Sequence, residues 1–455
     1  MNQHIITIAA LGPDDPQLLT LGAYEAMTGA DALVLRTARH GVAQMLRARG
    51  VAFDTLDALY EQSEDFDELC ALAARQLIAL AREAERLCYA VSEPVSDATV
   101  RALQAALPQD MALRVTGGVT LADCAAGAAI ALGVNTENLR TLTALSLDGL
   151  RPEADCPQVI TEIDNRCLAG DVKLWLCDLF DDETTVYFLE NAAIADAQAL
   201  PIPLCEMDRQ AHYDHRTAVL VPAVSVFERS RATYEDFVTV IRRLRAPGGC
   251  PWDRAQTFHT LRQYMIEEAC EAADAMEAGD PDKIADELGD VLLQVVLNSC
   301  IGAEHRDFTD RDVTSMAARK MITRHTHVFG GDTAKDAGAV TGVWERAKAR
   351  ERGEQTALER VRDIAPSLPG LTRAQKSVRR IAQAEGRKND PKAALDAVRL
   401  AVSALGPAAD ERAVSDALMA ICTLCDATGV DAETALRAGI GRLVAALEAG
   451  MPQKD

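Results

Sequence analysis

Two short acidic clusters lie on either side of one turn: Glu267-Glu268-Ala-Cys-Glu271, then Glu287-Leu-Gly-Asp290. Glu268 and Glu271 are spaced i, i+3, as are Glu287 and Asp290, so on helices each pair projects from one face. Between them, Ala278-Gly279-Asp280-Pro281 offers a helix C-cap, an N-cap and a first helical turn in succession, which predicts an αα-hairpin. Folding back about Gly279 and Asp280 sets Glu268 opposite position 291 and Glu271 opposite position 288. The acidic pairs then meet. Four carboxylates in a small volume repel one another unless a cation lies among them, and hard oxygen ligands suit Mg²⁺. The competing reading is a pair of solvated helix faces, the fate of most helical Glu and Asp. Against it stands Val291-Leu-Leu-Gln-Val-Val-Leu297, apolar almost all round. Such a run predicts a buried helix whose first turn carries Glu287 and Asp290 into the interior, where unpaired charge is costly.

The elements that must position these residues are helical. Thr233 to Leu244 places Phe237, Val240, Ile241 and Leu244 at helical spacing. The Pro247-Gly-Gly-Cys-Pro251 loop ends that helix, and Trp252 follows, placed either to stack on a base or to staple the helix entry. Asp310 to Arg324 predicts a third helix, with Lys320 and Arg324 at i, i+4. Thr341 to Arg352 predicts a fourth, with Trp344 and Lys348 at the same spacing. Taken alone, such pairs read as surface salt-bridge faces.

Five segments in order carry a resemblance. They are Arg245-Ala-Pro-Gly-Gly-Cys-Pro-Trp-Asp253, Gln256-Thr257, the two acidic clusters, Arg324-His-Thr-His-Val-Phe-Gly330 and Trp344-Glu-Arg-Ala-Lys348. Together they resemble the MazG family of nucleoside triphosphate pyrophosphohydrolases. The resemblance implies Mg²⁺ on Glu268, Glu271, Glu287 and Asp290, and gives Lys320, Arg324, Trp344 and Lys348 to the triphosphate and base. Glu267, beside the cluster, is the candidate for orienting the attacking water. A zinc site on His325 and His327 lacks a third ligand, and the resemblance gives these residues no metal role.

From 1 to 222 short β-rich runs alternate with amphipathic stretches. Residues 5–11, 32–36, 87–91, 113–116, 159–163, 184–189 and 218–221 read as strands, which predicts an α/β domain with a largely parallel sheet. This region resembles the tetrapyrrole (corrin/porphyrin) methylases, whose members bind S-adenosylmethionine between two α/β subdomains. Its loops depart from the family pattern. Ala10 and Asp14 stand where two glycines of the first loop belong, the second loop is Ser92-Glu93-Pro94, and the third is Gly117-Gly118-Val119-Thr120. Added side chains and charge where glycine permits close approach argue for a retained fold and against methyl transfer. Gly12, Gly117 and Gly118 are the remnants that would hold S-adenosylmethionine. Their other role is in ordinary strand-to-helix turns.

The expected organisation is therefore multidomain. A tetrapyrrole-methylase-like α/β domain spans 1–222 and a linker 222–233; an all-α MazG-like domain spans 233–355 and a degenerate helical repeat 356–455. In that last part Asp396-Ala-Val-Arg-Leu and Ala413-Val-Ser-Asp416 occupy the places of the acidic clusters, and only Asp416 stands where a ligand is expected. One carboxylate does not hold Mg²⁺ against water. Packing or dimerisation is the role left to it.

Net charge bounds the partners. With 455 residues and −22 overall, nucleic acid polymers are disfavoured, and an anionic small substrate needs a local cluster of Lys and Arg. The twelve cysteines are scattered, and Cys422-x-x-Cys425 has no second pair to complete a zinc site. Unpaired cysteines, no basic leader and no run of 18 apolar residues predict a soluble cytoplasmic protein without a membrane partner. A homodimer is expected. The expected activity is Mg²⁺-dependent hydrolysis of nucleoside triphosphates to the monophosphate and pyrophosphate. Its rivals are an S-adenosylmethionine-dependent methyltransferase and a non-catalytic nucleotide-binding scaffold.

Overall fold

The computed structural model describes residues 4–62, 66–336, 338–340, 342–344, 347, 356–406 and 410–450. The chain divides into two compact units, 1–307 and 308–455, and each is described by itself. The division falls inside the stretch 233–355 that the family resemblance treats as one piece.

The first unit opens with five strands: β1 (His4–Ala10), β2 (Ala32–Leu35), β3 (Asp54–Thr55), β4 (Arg86–Val91) and β5 (Met111–Val115). They pair in the order β3-β2-β4-β1-β5, all parallel. β1 is apolar along both faces because helices cover both sides of the sheet. Ile6 and Ile8 pack with Leu77, Tyr89 and Val91, and Ala9 with Val42 and Leu46. A second sheet follows: β6 (Arg140–Thr143), β7 (Gln158–Thr161), β8 (Thr185–Leu189), β9 (Leu200–Pro203) and β10 (Ala218–Val221), in the order β6-β7-β10-β8-β9.

Only the first sheet is parallel throughout. In the second, β6 and β7 are parallel, whereas β10 runs antiparallel to both β7 and β8, and β8 to β9. Parallel neighbours need a long crossover, and no α-helix separates β8, β9 and β10. The sequence reading also missed β3, β6 and β9. All three are sheet edges, short and half-solvated, where the hydrophobic pattern is weakest.

Helix α1 (Leu121–Ala131) begins with a capping box between Thr120 and Asp123 and lays Leu121, Ala122, Ala125 and Ala129 on the second sheet. The segment 222–233 has no regular structure, yet it is anchored. The Val224 amide donates to the Ala154 carbonyl, and the Ser230 amide to Asp181 Oδ2. Helix α2 (Tyr234–Arg245) starts from a second capping box, Thr233 with Asp236. The short α3 (Pro251–Ala255), then α4 (Phe258–Ala278) and α5 (Pro281–His305), complete the unit. Val238 and Ile241 of α2 pack on Leu261 of α4 and on Val296, Leu297, Cys300 and Ile301 of α5.

The second unit contains α6 (Asp310–Arg324), the single turn α7 (Thr326–Phe329), α8 (Gly370–Ala384), α9 (Pro391–Ser403), α10 (Glu411–Thr428) and α11 (Ala432–Gly450). Buried Gln375 of α8 donates to the Val430 carbonyl and accepts from the Ala432 amide, which satisfies the turn between α10 and α11. The fourth helix expected at 341–352 falls mostly outside the described residues. No single described helix is long and apolar enough to cross a membrane.

Candidate metal centre

The hairpin forms as its local signals require. Gly279 closes α4 in the left-handed region at φ +73, Asp280 Oδ1 accepts from the Asp282 and Lys283 amides, and Pro281 opens α5. The two helices then pack antiparallel. Glu268, Glu287 and Asp290 come together, with one carboxylate oxygen of each within 4.8 Å of the others. Glu271, expected as a fourth member, stands outside this trio and is exposed. It remains close enough to act through its charge. Desolvation in the hairpin, then Asp290, Glu271, Glu267 and Glu287, push the Glu268 carboxyl above its ordinary range. Desolvation, then Glu271, Asp286 and Asp290, do the same to Glu287, against Lys283.

The trio sits at the surface, half-buried, and not in the interior that the apolar run 291–297 suggested. The first half of α5 leaves Leu288 and Leu292 exposed, and full burial begins only at Gln294. Core packing reaches the helix from α2, which covers its second half. The carboxylates are therefore reachable from solvent, and Lys283 offsets part of their mutual repulsion at Glu287. An all-oxygen donor set of this kind fits Mg²⁺.

The other residues singled out from the sequence divide between the units. Glu267 is exposed and lines a depression with Arg262, Gln263, Ile266 and Cys270, and its charge reaches Glu268. Trp252 lies on α3, exposed, in the same unit as the carboxylates. Lys320, Arg324 and Trp344 belong to the second unit, and Lys348 lies outside the described residues. Lys320 is exposed on α6. The Arg324 guanidinium lies over the Trp344 ring, 5.4 Å from its centroid, and His325 meets that ring edge-on at 5.0 Å. Sequence reasoning did not find this stack, because residues distant in the chain build it. His325 Nδ1 bonds the Met321 carbonyl at 2.7 Å, so half of its ligating capacity is already spent on the backbone. In the C-terminal helices Asp396 pairs with Arg399 and Asp416 is exposed. Burial pushes the Cys422 and Cys425 thiols up, away from the thiolate that zinc requires.

A cleft of about 1060 Å³ is lined by loops of both sheets and includes Arg36, His40, Glu93, Glu162 and Arg216. Gly12 stands at φ +79, as a turn requires, and Gly118 is pressed against Ala10, whose methyl lies 2.4 Å from where a Gly118 Cβ would be. Nothing crowds Gly117. The donors here are used within the chain. Glu93 Oε1 accepts from the Leu121 amide at 2.9 Å, and Asp14 Oδ1 from the Gly41 amide at 2.7 Å. Carboxylates of the chain thus already engage two backbone amides at the rim of this cleft. No methyl-transfer step is derived.

Comparison with known proteins bears on both halves. The MazG nucleotide pyrophosphohydrolase domain matches residues 256–329, and the tetrapyrrole (corrin/porphyrin) methylases match residues 6–208. A Thermotoga maritima protein named nucleoside triphosphate pyrophosphohydrolase/pyrophosphatase MazG is 35% identical over 215 residues, 46% of this chain and 82% of its own. The chain belongs to the MazG family. Bacillus subtilis YabN is 32% identical over 377 residues, 82% of this chain and 76% of its own. An Escherichia coli nucleoside triphosphate pyrophosphohydrolase is 40% identical over 146 residues, 32% of this chain and 56% of its own. In this MazG-family chain the matched domain runs from the cap of α4 through α7. It contains the carboxylate trio, Lys320 and Arg324, and ends before Trp344. The methylase match covers every strand of both sheets except β10.

Proposed function

We propose that the chain hydrolyses nucleoside triphosphates between the α and β phosphates, releasing the monophosphate and pyrophosphate. The observation that carries this reading is the convergence of Glu268, Glu287 and Asp290 from two helices onto one point. Family membership and the pyrophosphohydrolase names of the Thermotoga and Escherichia relatives support it. Mg²⁺, when bound there, polarises phosphate oxygens and lowers the pKa of water. The trio holds the cation, and Glu271 adds negative charge beside it. Glu267, next to Glu268 in the chain, orients the attacking water or supports the ligands from behind. Lys320, Arg324 and Lys348 offset charge on the phosphates as the leaving pyrophosphate separates, while Trp344 contacts the base or ribose.

The test is pyrophosphate release from a mixture of NTPs with Mg²⁺. Release that disappears in Asp290→Asn and Glu268→Gln supports the reading. Nucleotide bound with no pyrophosphate under any divalent metal would leave a non-catalytic nucleotide-binding scaffold.

A further inference from the structure

Gln294 is the one polar residue in the apolar run 291–297 of α5, and it lies on the face of the helix that carries two of the three carboxylates. Glu287, Asp290 and Gln294 follow at i, i+3 and i+7, so they form one stripe. The register of the hairpin sets half-buried Met265 of α4 across from Gln294, one turn before Glu268. These two residues close the inner end of the site, where the solvated half of the hairpin gives way to core.

Gln294 is 4% exposed, and its Oε1 is buried without a hydrogen-bond partner. An acceptor taken out of water and left unmet costs free energy that an apolar side chain of the same length avoids. The next polar side chains along α5 are committed elsewhere. Asn298 Nδ2 donates to the backbone carbonyl of Gln294 at 2.7 Å, and Ser299 Oγ to that of Val295 at 2.8 Å. Met265 has no hydrogen to donate, and ionised carboxylates only accept. The missing partner is a donor, and water on a divalent cation is one: octahedral Mg²⁺ held by three carboxylates keeps several of its waters. Helical side chains lean toward the helix start, so Gln294 reaches back over the turn of Asp290. The last torsion of an amide side chain is soft, and a half-turn carries Oε1 from the sealed side of the group to the other.

We infer that Gln294 is a positioning residue of the cation site, its Oε1 accepting a hydrogen bond from a water that the cation retains. This rests on the reading of Glu268, Glu287 and Asp290 as that site and adds a support from beneath it. The carboxylates supply charge, and the amide supplies direction.

Binding of Mn²⁺ to the full chain, read from the electron paramagnetic resonance of the free ion, tests the assignment together with melting curves in EDTA. Because the chain carries a net charge of −22, the site is scored as the Mn²⁺ binding that Asp290→Asn removes. Gln294→Met and Gln294→Leu weaken that binding about tenfold or more, and raise by a similar factor the Mg²⁺ needed for half-maximal pyrophosphate release. Their melting temperatures in EDTA stay at or above that of the parent, since a buried unmet acceptor is gone. Ser299→Ala, buried one turn further along α5, leaves Mn²⁺ binding unchanged. Unchanged Mn²⁺ affinity in both Gln294 variants overturns the assignment. Weaker binding with a lower melting temperature in EDTA overturns it too, because the amide then serves the packing of the hairpin. If the parent binds no Mn²⁺ that Asp290→Asn removes, the cation site fails and this role with it. If the parent binds Mn²⁺ but releases no pyrophosphate, the hydrolase reading fails by itself, and the Mn²⁺ affinities of the variants still decide the role of Gln294.

Discussion

Arg229 and Asp236 form an ion pair that water scarcely reaches, with Nη2 to Oδ1 at 2.6 Å and side chains 1% and 6% exposed. Arg229 also stands 3.8 Å from Asp155, beyond the second sheet's first strand. Asp236 Oδ2 accepts from the Thr233 amide and hydroxyl, closing the capping box of α2. A segment that reads as a linker is thus tied at once to the α/β domain and to the first helix of the hairpin region.

Removing one member of this pair leaves the other buried and uncompensated. Arg229→Ala is expected to destabilise the first unit by about 3–5 kcal/mol. Arg229→Ala with Asp236→Ala together costs less than the sum of the single changes. Urea unfolding of the four proteins of the cycle checks this, and strictly additive losses would contradict it.

The carboxylate trio predicts a cation-dependent stability. The raised pKa values of Glu268 and Glu287 mean that the folded state holds extra protons, so without a cation stability falls as pH rises above the ordinary glutamate range near 4.5. Mg²⁺ should raise the melting temperature at pH 7, and EDTA should reverse the gain. Asp290→Asn should abolish the gain and lower kcat/KM by about 100-fold or more. Melting curves with and without Mg²⁺ decide the first point, and pyrophosphate release the second.

Asp214 predicts the opposite pH trend. Burial alone would raise its pKa, but Arg216, at 2.5 Å, and His212 bring it down to about 2. A depressed carboxylate stabilises the fold above its unfolded value of 3.8, and the contribution is lost as pH falls toward 2. Asp214→Asn should cost on the order of 1 kcal/mol at pH 7 after solvent screening, and progressively less as pH falls through about 2. Denaturant titrations across this range read the difference directly.

Gly279 at φ +73 turns α4 into α5. Gly279→Ala keeps the hairpin but strains this turn, costing about 1–2 kcal/mol. Thermal unfolding checks the cost, and an unchanged melting temperature would show that the turn tolerates a side chain.

Much of the hairpin was legible because its determinants are local. Gly279, Asp280 and Pro281 act on their own backbone, and i, i+3 spacing sets which carboxylates share a face before any packing occurs. The central strands were legible for a similar reason: an apolar run such as Ile5 to Ala10 has few alternatives to burial on both faces. Edge strands β3, β6 and β9 were not, since half of each faces solvent and their partners supply the order.

The sequence by itself determined that two acidic helical turns would face each other across a short hairpin, beside an α/β domain whose loops had lost glycines. Tertiary structure alone decided that three of the four carboxylates converge while Glu271 stays outside, because the exact rotation of α4 against α5 depends on how α2 packs over them. It also decided that the trio remains at the surface, that the expected linker is pinned by Arg229, and that Arg324 lies on Trp344. Each depends on contacts between residues far apart in the chain, and no local spacing encodes them.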